Sequence, residues 1–500
     1  MKKRFVAMLM ACVMGTGLLA GCGSSNNAQT DSSAAAADTA ETSKEPVAEE
    51  AESNNGEVVT LKWIQVGNGM PTNYDAWLTQ INPYLEEKIG VNLDMEIVPW
   101  GDWDNRRSVI VNSGEAFDIL FTDQTRYNAE VTTGAFLDLT DLLKTSAPDL
   151  YSMIPEDYWQ AASIGGKIYG VPTYKDSSIT EYFIWDKALA DKYNIDINSV
   201  KDFATLYDAL KTIKEGEGTA PYYMSKSGAD FLATAYFDQL GAGLSALGIK
   251  YDDDTKTVVN PLEDEDILKT LDIIHKMYQE GIINGDAPTS DDANKYRTFF
   301  TAQGWSGAAA STWGPNNGID DCVAVQYGDT VVSNTSVRGS LNAIYSGCEH
   351  PDKAIALLQL VNTDSKVRDW LYYGVEGENF NYTDDGKVEK LNSEWSMAGY
   401  TQGTFFNVSQ LADTDVNQWD EVKELNANAK PSVMLGFDMD TSSVETELAS
   451  CRAVYEKYKS EFWTGARDPR ELVEVIKSEL DAAGWEIIRA EAQKQVDAAK

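Results

Sequence analysis

The sequence predicts a two-lobed α/β protein, on three observations. Strand-like and helix-like segments alternate along the chain. The part able to fold, from about Glu57 to the end, is about 440 residues long, more than one core usually holds. Ahead of it lies a stretch from Gly23 to about Gly56 with no aromatic residue and hardly any large apolar one, which cannot bury enough surface to fold.

The elements follow in order. Val58 to Ile64 has the β-branched and aromatic content of a strand. A Gly/Asn/Pro loop, Val66 to Asn73, leads to an amphipathic helix from Tyr74 to about Ile89. Asn92 to Val98 is a second strand, a helix spans about Arg106 to Ser113, and Phe117 to Phe121 is a third strand. After Gly170 the alternation resumes, with a strand at Thr180–Ile184 and helices at Asp202–Ile213 and Asp264–Glu280. Gly307 to Thr312 is small and apolar and is expected to be a buried strand. Pro351 opens a helix running to Asn362, proline being well suited to the first helical position. The tail predicts three helices, Ser443–Phe462, Asp468–Ala483 and Glu486–Ala499, the second capped by Asp468 ahead of Pro469.

The N-terminus reads as an export leader over residues 1–21. Lys2, Lys3 and Arg4 precede an apolar run of about 15 residues, too short to span a bilayer and followed by small residues. Leu19-Ala20-Gly21-Cys22 resembles a lipobox, which implies cleavage before Cys22 and lipidation of its thiol. Two or more acyl chains anchor a protein stably, so no transmembrane helix is required. Residues 22–56 then serve as a flexible tether. Loss of the three leader cations takes the net charge from −38 to −41. That acidity argues against nucleic acid as a partner. The cysteines left after Cys22 are Cys322, Cys348 and Cys451, too few for a disulfide framework. Spacing leaves a Cys322–Cys348 bridge open; free thiols are the simpler reading. With only His275 and His350, no zinc array is expected.

The aromatic supply is distinctive: 13 Trp, 24 Tyr and 15 Phe. Several stand in loops rich in Gly, Pro or Asn, such as Trp100-Gly101-Asp102-Trp103 and Trp313-Gly314-Pro315. A flat ring beside Asp, Asn and Arg suits a sugar, the ring stacking on the C–H face and the polar groups taking the hydroxyls. Core packing is the alternative for any single ring.

Three stretches carry a family resemblance: Phe117 to Asp123 with Gly134 to Thr140, Gly165 to Pro172, and Gly374 to Phe380. They resemble the extracellular solute-binding proteins of ABC importers, in the class that includes maltose-binding protein. The block from Gly436 onward resembles the tail of a lipoprotein branch that binds oligosaccharides or aldouronates. The resemblance implies a type II periplasmic-binding-protein-like fold with a hinge and an interlobe cleft. Lobe 1 is expected over 57–174 and about 339–372, and lobe 2 over 175–338 and about 373–500 with the helical tail.

It also implies a function: capture of an oligosaccharide and delivery to the transmembrane permease subunits, by a monomer on the outer face of the cytoplasmic membrane, without enzyme activity or cofactor. Asp123 and Arg126 follow the third strand where the family places polar contacts. Tyr222, Trp313 and Phe437 resemble stacking positions. Trp103, Tyr174 and Lys175 flank loops at the cleft mouth. Glu376 and Asn379 lie near a hinge, with a structural turn as the alternative. Some uronate-binding relatives carry a calcium loop, but Ile213 to Thr219 lacks its alternating acidic pattern. A neutral oligosaccharide is the favoured ligand. Competing readings are a peptide, polyamine or other solute, a glycoside hydrolase, and an adhesin or sensor. The hydrolase would need two carboxylates about 5 to 9 Å apart on one bond, and Glu376/Glu378 is no evidence for that.

Overall fold

The computed structural model describes residues 58–291, 297–417 and 419–499. The leader 1–21, its Cys22 and the tether 22–56 lie outside them. The first strand, β1 (Val59–Gly67), is followed by α1 (Tyr74–Ile89), β2 (Val91–Pro99), α2 (Trp103–Ser113), β3 (Ile119–Thr122), α3 (Tyr127–Thr132) and β4 (Val171–Pro172). The chain continues through β5 (Glu181–Asp186), α4 (Phe203–Glu217), α5 (Glu265–Gln279), β6 (Phe299–Gln303), β7 (Cys322–Gln326), β8 (Val331–Val332) and β9 (Leu341–Ile344). The remainder is mostly helical: α6 (Pro351–Thr363), α7 (Ser365–Tyr373), α8 (Asp420–Asn428), the short β10 (Lys430–Pro431), then α9 (Glu445–Trp463), α10 (Pro469–Ala482) and α11 (Trp485–Ala498).

Two sheets organise two cores. The first has order β2-β1-β3-β9-β4, with β1, β2 and β3 parallel and β9 antiparallel to both β3 and β4. Its central strands are buried on both faces, so Leu61, Trp63, Ile64 and Val66 are all in the interior. The second sheet is antiparallel, β6-β5-β7. Phe183 and Trp185 of β5 enter the second core, while Tyr182 and Ile184 face a smaller cluster with Phe300 and Ile319. Local chemistry sets the helix starts: Asp202 accepts from the Thr205 amide at 2.7 Å, and Asp264 accepts from the Asp266 and Ile267 amides.

Three chain segments cross between the cores side by side. Ile179 and Val331 exchange backbone hydrogen bonds of 2.7 and 3.0 Å. On the other side of Val331, β8 pairs in parallel with β10, Val331 opposite Lys430 and Val332 opposite Pro431. The crossings are therefore 173–180, 327–333 and 429–433.

The sequence places three crossings, near 174, 338 and 372, with everything after about 373 in the second lobe; the last crossing lies at 429–433. Instead Tyr373, Val375, Phe380, Phe405, Trp419 and Val422 pack into the first core, and the chain returns to the second only after β10. The tail helices α9, α10 and α11 do contribute to the second core, through Leu448, Leu472 and Ile488 among others. The expected strand at Gly307–Thr312 is a helical turn, partly exposed. Its alanines favour helix, and the strand is supplied by the aromatic run Phe299–Gln303 just before it. Cys322, Cys348 and Cys451 are free. Among the described residues, no helix is long and apolar enough to cross a membrane.

Candidate functional site

The parallel strands β1, β2 and β3 end on one edge of the first sheet. Ligands of open α/β sheets bind outside such carboxyl edges. Two crossings attach at the same edge, one leaving β4 at Pro172 and one entering β9 at Leu341. The edge therefore faces the second core.

A built aromatic platform occupies this edge. Trp100, just after β2, is 46% exposed, and Tyr400 is 43% exposed. Their rings lie 6.0 Å apart and within 6° of parallel. The Trp100 amide is held by the Gly67 carbonyl at 3.1 Å. Tyr400 rides on a loop that is clamped from beneath. Buried Arg368 of α7 donates to the carbonyls of Gly399 at 2.6 Å, Gly403 at 3.1 Å and Thr404 at 2.7 Å. Asn342 of β9 donates to the carbonyls of Thr401 and Gln402 at 3.0 and 3.1 Å. The same loop meets β1 closely. A Cβ at Gly67 would stand 2.8 Å from the Ile97 side chain and 3.2 Å from the Ala398 amide, so only glycine fits there. Two exposed rings held by a rigid scaffold are a surface prepared for another flat or apolar face.

On the side of the second core, a cavity of about 660 Å³ lies against the crossings and reaches Glu181, Phe231, Tyr236, Tyr251 and Tyr327. A second, of about 440 Å³, reaches Tyr182, Glu421 and Glu424. Asp329 and Lys430 border both. Tyr236 is 40% exposed. Glu181 is buried at the start of β5, accepting from Gln303 Nε2 at 2.6 Å and from the Tyr327 hydroxyl at 3.4 Å. Burial pushes its carboxyl up to about 7, against the lowering effect of those two hydrogen bonds. Near the third crossing, Asp238 accepts from the Ser432 hydroxyl at 2.9 Å, and burial raises it to about 6.

The residues singled out from the sequence fall into several environments. Trp103 opens α2 but is only 4% exposed, packed on Phe121 at 5.7 Å and beside the Arg107 guanidinium. Asp123 faces that same Arg107 at 3.3 Å and accepts from the Thr125 amide, closing the turn after β3. Arg126 is exposed beside it and borders a small cavity with Asp104 and Asn112. Tyr174 meets Tyr158 and Phe406 edge-on, at 5.2 and 4.9 Å. Lys175 pairs with Asp176 at 2.5 Å, and its carbonyl accepts from Asn426.

Tyr222 is 2% exposed in the second core, edge-on to Phe299. Trp313 is half-buried against Tyr182, at 6.1 Å. Glu376 exchanges backbone hydrogen bonds with the Gln80 side chain. Asn379 is buried and links Asn73, the Val375 amide and Asn392. The Phe437 carbonyl accepts from Asn334 at 2.7 Å. Asp123 and Arg126 thus stand on the same sheet edge as Trp100, while Glu376 and Asn379 fasten a turn against α1. Among the described residues, no group of three or more His, Cys, Asp or Glu side chains is arranged to hold a metal ion. Trp100 stood in a loop the sequence had flagged; nothing in the sequence marked Tyr400, which reaches the edge only by a long-range fold-back.

Comparison with known proteins bears on this geometry. Residues 433–500 match a domain of unknown function, DUF3502. A carbohydrate ABC transporter substrate-binding protein of Streptococcus pneumoniae is 29% identical over 455 residues, which is 89% of this chain and 91% of that protein. The crystal structure of the N-glycan transport solute-binding protein of S. pneumoniae gives a TM-score of 0.80 at 28% identity, covering 88% of this chain and 98% of that one. Its complex with Man1GlcNAc gives 0.70 at 27% identity, covering 88% and 99%. An extracellular solute-binding protein of Bifidobacterium longum subsp. infantis, 17% identical with a TM-score of 0.62, shares the fold, covering 89% of this chain and 99% of its own. The architecture is that of the two-lobed type II solute-binding proteins. Residues 79–375, more than half of the chain, match the family model for these proteins, and the chain belongs to the bacterial extracellular solute-binding protein family.

Proposed function

We propose that this chain is the extracellular substrate-binding component of an ABC importer, capturing an oligosaccharide in the cleft between its two cores and delivering it to a membrane permease. The observation that carries this reading is the exposed Trp100–Tyr400 stack on the carboxyl edge of the first sheet, rigidly backed by Arg368 and Asn342. A pyranose offers such a platform an apolar C–H face, and its hydroxyls suit Asp123 and Arg126 on the neighbouring loop. The similarity to a carbohydrate transporter's binding protein, and to one crystallised with Man1GlcNAc, supports the same ligand class. Tyr236 and Trp313 are the matching aromatic contacts from the second lobe. The three side-by-side crossings are the hinge about which the lobes close.

The protein works as a binder and not as an enzyme, as a monomer, held outside the cytoplasmic membrane by lipid on Cys22. Replacing Cys22 with Ser should move it from the membrane fraction to the medium; continued membrane retention would contradict the anchor. The ligand class is tested by thermal shift of the mature chain against neutral oligosaccharides, short peptides and polyamines. A ligand bound only by the folded state raises the melting temperature by mass action. A rise with neutral glycans is expected, and a rise with peptides or polyamines alone would sink the sugar reading.

A further inference from the structure

The segment after the third crossing, Ser432 to Met439, lies in the seam between the two cores. Leu435 packs against the first core, while Phe437 and Met439 join the second. The Met439 amide donates to the carbonyl of Leu240, a second-core residue, at 2.9 Å. Four side chains of the first lobe grip the same segment. Gln160 Nε2 donates to the Leu435 carbonyl at 3.0 Å. Asn334 donates to the Phe437 carbonyl at 2.7 Å and accepts from the Gly436 amide at 2.8 Å. Asn128 of α3 and Arg338 converge on the Asp438 carboxylate: Asn128 Nδ2 lies 2.9 Å and Arg338 Nη1 2.7 Å from Oδ1. The approach is tight, because a Cβ on Gly241, between Leu240 and Ala242 of the second core, would stand 2.7 Å from that same Oδ1.

Arg338 is held ready for this contact. It is buried, and its Nε and Nη2 donate to the carbonyls of Ala161 and Ser163 at 2.7 and 2.8 Å. The first lobe thus fixes the guanidinium plane and leaves Nη1 for Asp438 and for Asn128 Oδ1, the latter at 3.1 Å. The other oxygen of Asp438, Oδ2, is buried without a hydrogen bond among the described residues, so this carboxylate relies on Arg338 for its countercharge. The Arg338 carbonyl in turn accepts from the Gln124 amide at 2.8 Å, within the turn that carries Asp123 and Arg126. One residue therefore ties that turn to the second lobe.

We infer that Arg338, Asn128 and Asp438 form an interlobe clasp that holds the lobes near one angle and so strengthens ligand capture, the effect on capture resting on the sugar-binding reading above. A lobe angle that parts Arg338 from Asp438 leaves two covered charges unmatched and is disfavoured. Apparent affinity scales with the fraction of molecules already in the competent arrangement. The clasp raises that fraction by fixing both the lobe angle and the turn.

The test pairs small-angle X-ray scattering with calorimetric titration of a neutral mannosyl–N-acetylglucosamine oligosaccharide. It compares the mature wild type with Asp438→Asn, which keeps the side chain's shape and removes its charge. Without glycan, the Asp438→Asn protein should show a larger radius of gyration, and its Kd should rise roughly fivefold or more. Saturating glycan should bring its radius back toward that of the wild type, because ligand and clasp favour the same arrangement. Asn128→Ala, which leaves the ion pair in place and removes its bridge, should move both readings the same way by less. It carries the test if Asp438→Asn fails to show a cooperative melting transition. A merely structural defect would lower the melting temperature without moving either reading. An unchanged radius or an unchanged Kd in the folded variants, or tighter binding, would overturn the clasp. A wild type that binds no glycan, beside a variant that is still larger, would remove the sugar reading and leave the clasp standing.

Discussion

Between Trp100 and Trp103 the chain turns from the end of β2 into α2, and the two indoles enter opposite environments. Trp103 is packed on Phe121 and beside Arg107, while Trp100 lies flat against Tyr400 at the surface. Trp103→Ala should therefore destabilise the fold by about 3–5 kcal/mol, read by urea denaturation, as for other buried aromatic truncations. Trp100→Ala should leave the denaturation midpoint nearly unchanged and weaken glycan binding roughly ten- to hundredfold.

Glu181 makes a separate prediction. Its carboxyl is raised by burial from 4.5 to about 7 in the folded state. The folded protein thus holds a proton that the unfolded chain has released, and this contribution to stability is full below pH 4.5 and is lost as pH rises through about 7. Glu181→Gln keeps the bond from Gln303 and removes the titration. Relative to that variant, the wild type should lose stability on the order of 2 kcal/mol between about pH 5 and about pH 8, measured by denaturant midpoints. Parallel pH profiles would show that the site is better solvated than its burial implies. Loop Trp residues were legible as candidates in the sequence. Which of the pair is exposed was not, because exposure depends on where residue 400 returns in space.

At the level of elements, periodicity carried most of the information. The helices at Tyr74–Ile89, Glu265–Gln279 and Pro351–Thr363 were legible because apolar spacing, caps and flanking Gly or Pro agree. The strands of the second sheet were harder. Cys322–Gln326 is short, and the alanine run at 308–310 imitates a buried strand without the branching that strands prefer. The third crossing, Lys430–Pro431, is too short to leave any pattern and exists only through its pairing with Val331 and Val332. The loop that carries Tyr400 likewise has no regular structure of its own beyond one 3₁₀ turn, Gly399–Thr401. Its order comes from Arg368, a charged residue on α7 that a sequence pattern would place at the surface. Arg368→Met keeps the apolar stem but strands three carbonyls, and should cost about 3 kcal/mol of stability. It should also weaken glycan binding, which a purely remote packing defect would not do. Full glycan affinity in a folded Arg368→Met protein would show that the loop holds its shape without the clamp.

For the molecule as a whole, two cores are joined by three adjacent segments, and on the proposed reading the ligand site is complete only when both halves meet. The aromatic platform stands on the first sheet, and the cavity of about 660 Å³ lies beside the crossings on the side of the second core. The fold class and the binding role were readable from alternation, length and three family-like stretches, whereas the exposed Trp100–Tyr400 pair on the sheet edge was not. Titrating the mature protein and its Trp100→Ala variant with a neutral mannosyl–N-acetylglucosamine oligosaccharide in a calorimeter tests the central claim most directly. Saturable binding of one glycan per chain, with Kd on the order of micromolar or tighter in the wild type and at least roughly tenfold weaker in the variant, is the predicted result. No heat with this or any neutral glycan, alongside saturable binding of a peptide, would contradict it.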